Sequence, residues 1–250
     1  MTKDSPKQKR RLFQQYYLYS YTIDKIVLPD LKFRHFRFQT FSNKIIFRRV
    51  SDVISSPTKL RDKFIRYVPM NAYFTPVKWL NPIYVAHRKD ELDVMLSSPL
   101  YFDIDMKDLV PSSFSEAKRD TNRLIEFLEE EYGRLPDLIV FSGRQGFHVH
   151  FWDWDTLDII RLSPENRLIE FKRRRNELLA LLRKRNITVD HGITPDPFRI
   201  MKIPNSLHGK TGLVAKPISE VERFDPKIQA RAFDLEVYEK TFELDWNVYE

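Results

Sequence analysis

The stretch Leu100-Tyr-Phe-Asp-Ile-Asp-Met-Lys-Asp108 decides the fold, because its apolar and acidic residues alternate as they do in a half-buried β-strand. In such a strand Phe102 and Ile104 lie on one face, while Asp103 and Asp105 lie on the other, about 6–7 Å apart. Two carboxylates at this spacing repel each other and can share a divalent cation, for which Mg²⁺ is the natural candidate. An exposed strand with two solvated acids is the alternative, and this pattern alone does not decide between them.

The composition is that of a globular protein with a basic surface. No internal repeat, low-complexity linker or clean boundary divides the 250 residues, so we predict a single domain over residues 1–250. Residues 1–11 are polar and basic and form either a frayed arm or the entry to a helix. The 42 Lys and Arg residues against 35 Asp and Glu give a net charge of +7, which fits a polyanionic partner or simple solubility.

Two absences in the sequence exclude whole classes of protein. The chain has no cysteine, which rules out disulfides, iron–sulfur clusters and structural zinc bound through cysteine. No run of about 18 apolar residues and no signal peptide is visible. We therefore predict a cytoplasmic protein without a membrane partner.

Hydrophobic periodicity predicts an alternation of helices and strands around the acidic strand. The predicted helices cover residues 12–28, 113–132 and 164–185. The predicted strands are a hairpin within 33–50 that turns near Ser42-Asn43, then 138–141, 147–153, 186–190 and 198–203, with a docked helix and strand in the tail 220–250. Gly133 is the predicted stop of the second helix.

A third carboxylate would complete a site for two metal ions. Asp190 ends a short apolar segment that contains Ile187 and Val189, and the strand pattern fixes its position. Asp196 is a rival for the same place. In a two-metal site one ion activates the attacking oxygen, while the other binds phosphates and the leaving group.

A glycine-rich turn follows the acidic strand along the chain, from Ser142 to His148. Gly143 lets backbone N–H groups approach a phosphate closely. Ser142 can donate a hydrogen bond and Arg144 a charged fork, and His148 lies on a strand face from which it can reach a phosphate oxygen. A tight hairpin turn with a core histidine is an equally good interpretation.

A second basic loop contains Lys202, His208 and Lys210. Its Gly209-Lys210-Thr211 triplet is not a P-loop, because Pro204 stands near the place where that motif needs an earlier glycine. The loop nevertheless suits a triphosphate. An acid cluster together with basic phosphate loops is the layout of a nucleotidyl transferase.

These segments, in this order and spacing, resemble the catalytic small subunit of archaeal and eukaryotic DNA primases, in the archaeo-eukaryotic primase superfamily. The similar segments are 102–108, 142–148, 187–190 and 199–212, with weaker matches at 11–13 and 34–38 and at Arg48. Together they cover roughly residues 10–218. The family's zinc knuckle is missing, since the chain has no cysteine, so the resemblance is to a variant without it.

The resemblance implies an α/β (α+β) fold, the primase catalytic core with mixed sheets and an RRM-like half. It implies that Asp103, Asp105 and Asp190 are catalytic and bind two Mg²⁺ or Mn²⁺ ions. Residues implied to bind the nucleoside triphosphate are Ser142, Gly143, Arg144, His148, Lys202, His208 and Lys210. Residues implied to support the site from behind are Asp108, Arg34 and Arg48, with Asp108 paired to Arg34.

The implied activity is template-directed synthesis of short primers on single-stranded DNA. The implied partners are the template, nucleoside triphosphates and a separate primase large subunit. The location is cytoplasmic and nucleoid-associated, with an archaeal or mobile-element origin rather than a eukaryotic nucleus. Three alternatives remain: a repair-type polymerase of the same superfamily that extends ends without initiating, a non-catalytic nucleic-acid-binding subunit, and a metal-dependent nuclease.

Overall fold

The structure is a computed structural model, and it describes residues 6–47, 53–83, 85, 94–105, 113–242 and 244–249. These residues form α-helices and two four-stranded antiparallel sheets, which confirms the predicted α+β class. Among the residues described, every helix is too short or too polar to span a bilayer.

The helices and strands alternate along the described chain. The helices are α1 (Pro6–Gln15), α2 (Pro57–Tyr67), α3 (Ser113–Tyr132), α4 (Thr156–Ile160), α5 (Pro164–Lys184), α6 (Pro226–Gln229) and α7 (Leu235–Thr241). The strands are β1 (Phe36–Gln39), β2 (Ile45–Phe47), β3 (Asn71–Phe74), β4 (Leu100–Ile104), β5 (Leu138–Phe141), β6 (Phe147–Phe151), β7 (Met201–Lys202) and β8 (Pro217–Ile218).

The first sheet has the strand order β2-β1-β3-β7 and the second has the order β4-β6-β5-β8. The resemblance implied mixed sheets, whereas the pairings of the described strands are antiparallel. The predicted hairpin between β1 and β2 is confirmed. Asn43 takes a left-handed conformation (φ 58°) in its turn, which asparagine tolerates better than most residues.

The N-terminal helix begins earlier and ends differently from the sequence prediction. Helix α1 starts at Pro6, inside the segment predicted as a basic arm, so that segment enters a helix. The chain then forms a π-helical turn over Tyr16–Ser20 rather than a regular helix to residue 28. Tyr17 and Tyr21 lie fully buried there, with Phe64 of α2 packed against both rings at 4.9 and 4.5 Å. Aromatic packing thus fixes this segment against α2.

The two long helices match their predictions closely. Helix α3 ends where predicted, because Gly133 adopts a left-handed φ of 63° and donates its N–H to the carbonyl of Glu129 at 2.8 Å. Helix α5 carries the run of Arg and Lys residues. Arg173 pairs with Glu170 of the same helix at 2.7 Å, and Arg174 pairs with it at 2.8 Å. The pairing favours a solvated helix face over a nucleic-acid contact.

A buried ion pair holds the start of β4 in place. The guanidinium of Arg175, on α5, donates to a carboxylate oxygen of Asp155 at 2.7 Å and to the hydroxyl of Ser98 at 2.9 Å. Arg175 also donates to the carbonyl of Pro99 at 3.1 Å, directly before β4 begins. Because a buried charge needs its partners, this network ties α5 to the strand that carries the acids.

Two predicted strands differ from what the structure contains. Residues 187–190 form no strand, and the backbone hydrogen bond that joins them to β4 is the one from Asp190 to Asp103. The predicted strand over 198–203 is reduced to the two residues of β7. In the described part of 220–250 the chain forms helical segments and no strand. Side-chain packing rather than strand pairing holds these short segments in place, and an alternating sequence pattern does not distinguish the two.

Candidate active site

Asp103 lies at the centre of the site because of the β4–β6 register. The ladder places Asp103 directly opposite His148, and their side chains approach to 3.7 Å between Oδ1 and Nε2. Burial, together with the charge of Lys202, lowers the pKa of His148 to about 3. The imidazole is therefore neutral at physiological pH, and its approach to Asp103 is a contact rather than an ion pair.

Asp190 reaches the same place from a distant part of the chain. Its backbone N–H donates to the carbonyl of Asp103 at 2.8 Å, so the two residues are neighbours across the outer edge of β4. Its carboxylate accepts the N–H of Gly192 at 2.8 Å. The carboxylate of Asp196, its rival, instead accepts the N–H of Phe198 at 3.1 Å within a turn. The geometry therefore favours Asp190 as the third acid.

The acids do not form a closed metal cage. Within the described ranges, no group of three or more Asp, Glu or His side chains is gathered as a preformed metal site. The three predicted ligands, Asp103, Asp105 and Asp190, nevertheless supply hard oxygen donors. The backbone of Asp190 is hydrogen-bonded to that of Asp103, and Asp105 lies two residues after Asp103 in the chain. Mg²⁺ is usually held by one or two carboxylates together with water and substrate phosphates. The donor set thus fits a divalent cation that a triphosphate helps to bind.

The turn from Ser142 to Gly146 links the acids to the basic loop. Ser142 accepts the N–H of Gly146 on its hydroxyl at 3.3 Å, which closes the turn. A Cβ at Gly146 would lie 2.2 Å from the carbonyl oxygen of Ile104, so the turn presses on the end of β4. At Gly143, with φ 88°, a Cβ would lie 2.8 Å from the Cβ of His208. Both approaches require glycine.

The loop that carries His208 is held by a threonine the sequence prediction did not single out. Thr211 donates its hydroxyl to the carbonyl of Gly143 at 2.6 Å and lies 3.2 Å from Nδ1 of His208. The backbone N–H of Gly212 donates to the carbonyl of His208 at 2.8 Å. Thr211 therefore fixes the imidazole and the glycine turn relative to each other.

Lys202 lies in the first sheet, where its side chain contacts residues of β3. It is opposite Tyr73 in the β3–β7 ladder, and its ammonium lies 5.3 Å from the centre of that ring. The ammonium donates to the side-chain oxygen of Asn71 at 2.5 Å. Burial lowers the pKa of Lys202 to about 7. A lysine with this pKa is only partly protonated at neutral pH, and a bound anion favours its charged form.

The basic groups of the site repel one another. Burial and then the charges of Lys202, Arg144 and Lys210 lower the pKa of His208 well below its usual value. Lys202 acts in the same direction on His148. Positive charges that converge on a partly buried place are stabilised by an anion with several acceptor oxygens, and a triphosphate is such an anion. The arrangement fits the predicted nucleotide-binding residues.

The predicted supporting residues are only partly described. Asp108 and Arg48 lie outside the described residues, so the predicted pairing of Asp108 with Arg34 stays a prediction. Arg34 itself is buried and donates to the carbonyls of Thr75 at 3.0 Å and Pro76 at 2.6 Å. Burial lowers the pKa of its guanidinium to about 10. Arg34 thus braces the chain that follows β3.

Comparison with known proteins places this site in a family. The family model described as DNA primase small subunit matches residues 102–220, which contain all three acids and both basic loops. The primase small subunit of Pyrobaculum calidifontis is 28% identical in an alignment of 235 positions that covers 78% of this chain and 73% of that protein. That of Archaeoglobus fulgidus is 27% identical in an alignment of 288 positions, gaps included, that covers 90% of this chain and 83% of that protein.

The chain is similar to the DNA primase small subunits. The predicted resemblance is therefore confirmed, and the lack of cysteine fits a variant without a zinc knuckle. Among solved structures, the polymerase domain of Mycobacterium tuberculosis ligase D in complex with DNA matches with a TM-score of 0.56. The match covers 98% of this chain and 92% of that domain, and at 14% identity it shows the shared fold alone.

Buried tyrosines hold the basic loop by hydrogen bonds to its backbone. Tyr17 donates its hydroxyl to the carbonyl of Pro69 at 3.1 Å and accepts the N–H of Leu207 at 3.3 Å. Tyr16 donates to the carbonyl of Asn205 at 2.8 Å. The sequence prediction assigned these rings to the core only, since aromatic spacing carries no information on where a hydroxyl binds.

Changing Tyr17→Phe should lower the free energy of unfolding by about 1–3 kcal/mol. The substitution keeps the ring but leaves the N–H of Leu207 and the carbonyl of Pro69 without the partner that Tyr17 supplies. Chemical denaturation measures the change. Tyr19→Phe is the matched control, because Tyr19 is 79% exposed and should change stability by no more than about 0.5 kcal/mol. Equal stability of the two variants would contradict the role given to Tyr17.

Proposed function

We propose that this chain is the catalytic small subunit of a DNA primase, which synthesises short primers from nucleoside triphosphates on single-stranded DNA. The observation that carries the proposal is the close approach of the 142–146 turn to both β4 and His208, which joins the acids to the basic groups in one site. The predicted enzyme class, a primase acting by nucleotidyl transfer, is confirmed by the similarity to primase small subunits.

In the proposed mechanism, Asp103, Asp105 and Asp190 hold two divalent ions, Mg²⁺ or Mn²⁺. Such ions, when bound, activate the attacking hydroxyl and neutralise the leaving pyrophosphate. The carboxylates orient the 3′-hydroxyl of the primer, or of the first nucleotide, toward the α-phosphate. Because the three acids come from two segments that meet at the edge of β4, they can approach the reacting phosphate from one side.

The basic groups bind the triphosphate in this mechanism. Arg144 and Lys210 are exposed and meet the incoming anion first, while Lys202 is buried beneath it. His148 is neutral and donates one N–H to a phosphate oxygen without adding charge beside Asp103. The role of His208, held by Thr211, is to bind the same phosphates from the other side of the turn.

Two parts of the proposal concern the surroundings of the enzyme. We assign it a primase large subunit as a separate partner. We also assign it to the cytoplasm in association with the nucleoid, with an archaeal or mobile-element origin. Both follow from the similarity to archaeal primase small subunits.

The proposal is tested by synthesis on single-stranded DNA, with labelled nucleoside triphosphates and Mg²⁺ or Mn²⁺, in parallel reactions with and without a supplied primer. We expect short products in both reactions. Products that form only with a supplied primer would indicate a repair-type polymerase that extends ends, and not a primase. DNA binding without product in either reaction would indicate a non-catalytic nucleic-acid-binding subunit, and degradation of the template would indicate a nuclease.

A further inference from the structure

The side chain of Asn71 connects two parts of the site that lie far apart in the sequence. Its oxygen accepts the ammonium of Lys202 at 2.5 Å and also accepts the backbone N–H of Gly209 at 3.1 Å. Its amide group donates to the side-chain oxygen of Gln39 at 2.9 Å. Since both groups that meet the oxygen are donors, the orientation of the amide is determined.

Close packing holds Asn71 in this orientation. A Cβ at Gly209 would lie 2.4 Å from Cγ of Met70 and 3.0 Å from the amide nitrogen of Asn71, so the basic loop presses directly on β3 at this point. Gln39 is the partner of Asn71 in the β1–β3 ladder, which keeps the two amides side by side. The side-chain oxygen of Asn71, on β3, thus binds both the loop and Lys202 and holds them in place.

We propose that Asn71 is a positioning residue, which fixes the distance between the Lys202 ammonium and the loop of His208 and thereby sets the affinity for the triphosphate. The inference rests on the proposed function of that loop. Asn71 touches no reacting atom in this account. It occupies one of the three donor positions of the ammonium and leaves the other two directed to phosphate oxygens.

The charges around Lys202 explain why one neutral acceptor matters there. The Tyr73 ring of β3 lies 5.3 Å from the ammonium, and the charge of Lys202 acts on His148 of β6 and on His208 of the basic loop, where the charges of Arg144 and Lys210 act as well. The two histidines are kept neutral by burial and by these cations, so they do not offset the charge of the lysine. An acceptor that binds the charged form of the lysine favours that form.

The test compares equilibrium binding of a triphosphate with a methylene α–β bridge, measured by calorimetry between pH 6 and 9 on the full chain. Wild-type affinity should fall as the pH rises through the pKa of Lys202, because the uncharged amine no longer attracts phosphate. Asn71→Ala should weaken binding about tenfold at pH 7 and move this fall to lower pH. Asn71→Asp keeps the acceptor position and adds a negative charge, so it should move the fall to higher pH.

Asn122→Ala is the matched control, because the Asn122 side chain donates to the exposed Glu222 and the substitution should leave binding unchanged. Opposite displacements of the pH profile in the two Asn71 variants support the inference, since a purely structural role would move both in the same direction. Profiles and affinities equal to wild type would overturn it while leaving the proposed function intact. Failure of the wild type itself to bind the triphosphate would overturn the proposed function. If Asn71→Ala does not fold, the pH profile of the near-isosteric Asn71→Asp variant tests the inference by itself.

Discussion

Replacing Asp103 and Asp105 together by asparagine should reduce nucleotide incorporation by about a thousandfold or more. Asparagine keeps the shape of each side chain but removes the negative charge that a divalent ion requires. Asp103 lies beside the neutral His148, so this neighbour carries no charge that could replace the one that the substitution removes. Incorporation into short products, measured at saturating triphosphate, gives the size of the loss.

Asp158→Asn is the control for this double variant. Asp158 is an exposed acid of α4 that pairs with Arg174 of α5 at 3.2 Å. Its replacement should therefore leave incorporation within about twofold of wild type. The double variant should also keep its fold, which a thermal melt would verify. Full incorporation by a folded Asp103→Asn/Asp105→Asn protein would overturn the assignment of the acids.

Changing Gly146→Ala should destabilise the protein by about 3 kcal/mol and lower incorporation at the same time. A Cβ at this position would lie 2.2 Å from the carbonyl oxygen of Ile104 and 2.9 Å from Cα of Asp105. Both are backbone atoms, which cannot rotate away as a flexible side chain can. The end of β4 must therefore shift, and it carries Asp105 with it.

Gly133→Ala is the control for a glycine substitution whose added Cβ meets no other atom. Gly133 has a left-handed φ of 63°, but a Cβ there would meet nothing within 4 Å. The substitution should cost only about 1 kcal/mol and leave incorporation unchanged. Equal losses of stability in the two variants would show that the turn does not press on β4 as described.

The local elements of the site were predictable because their signal lies within a few residues. Alternation over 100–108 and 147–153 predicted the two paired strands, and the glycines predicted the turn between Ser142 and Gly146. Asp190 was predicted as the third acid for a partly wrong reason. It is held beside Asp103 by one backbone hydrogen bond and not by a strand.

The positioning residues were not predictable, because their roles depend on contacts across the whole chain. Asn71 and Lys202 are 131 positions apart, and Tyr17 and Leu207 are 190 apart. No periodicity links such pairs. The π-helical turn that presents Tyr17 likewise arises from the packing of its aromatic rings, whereas the spacing alone predicted an ordinary helix.

The central claim is that the acids and the basic loops form one site that holds metal and triphosphate together. Anomalous diffraction from a crystal soaked with Mn²⁺ and the methylene-bridged triphosphate tests it most directly. The account predicts a manganese peak between the carboxylates of Asp103 and Asp190, with the phosphates extending toward Arg144 and His208. Manganese bound away from Asp103, or a triphosphate that lies outside the turn at Gly143, would contradict it.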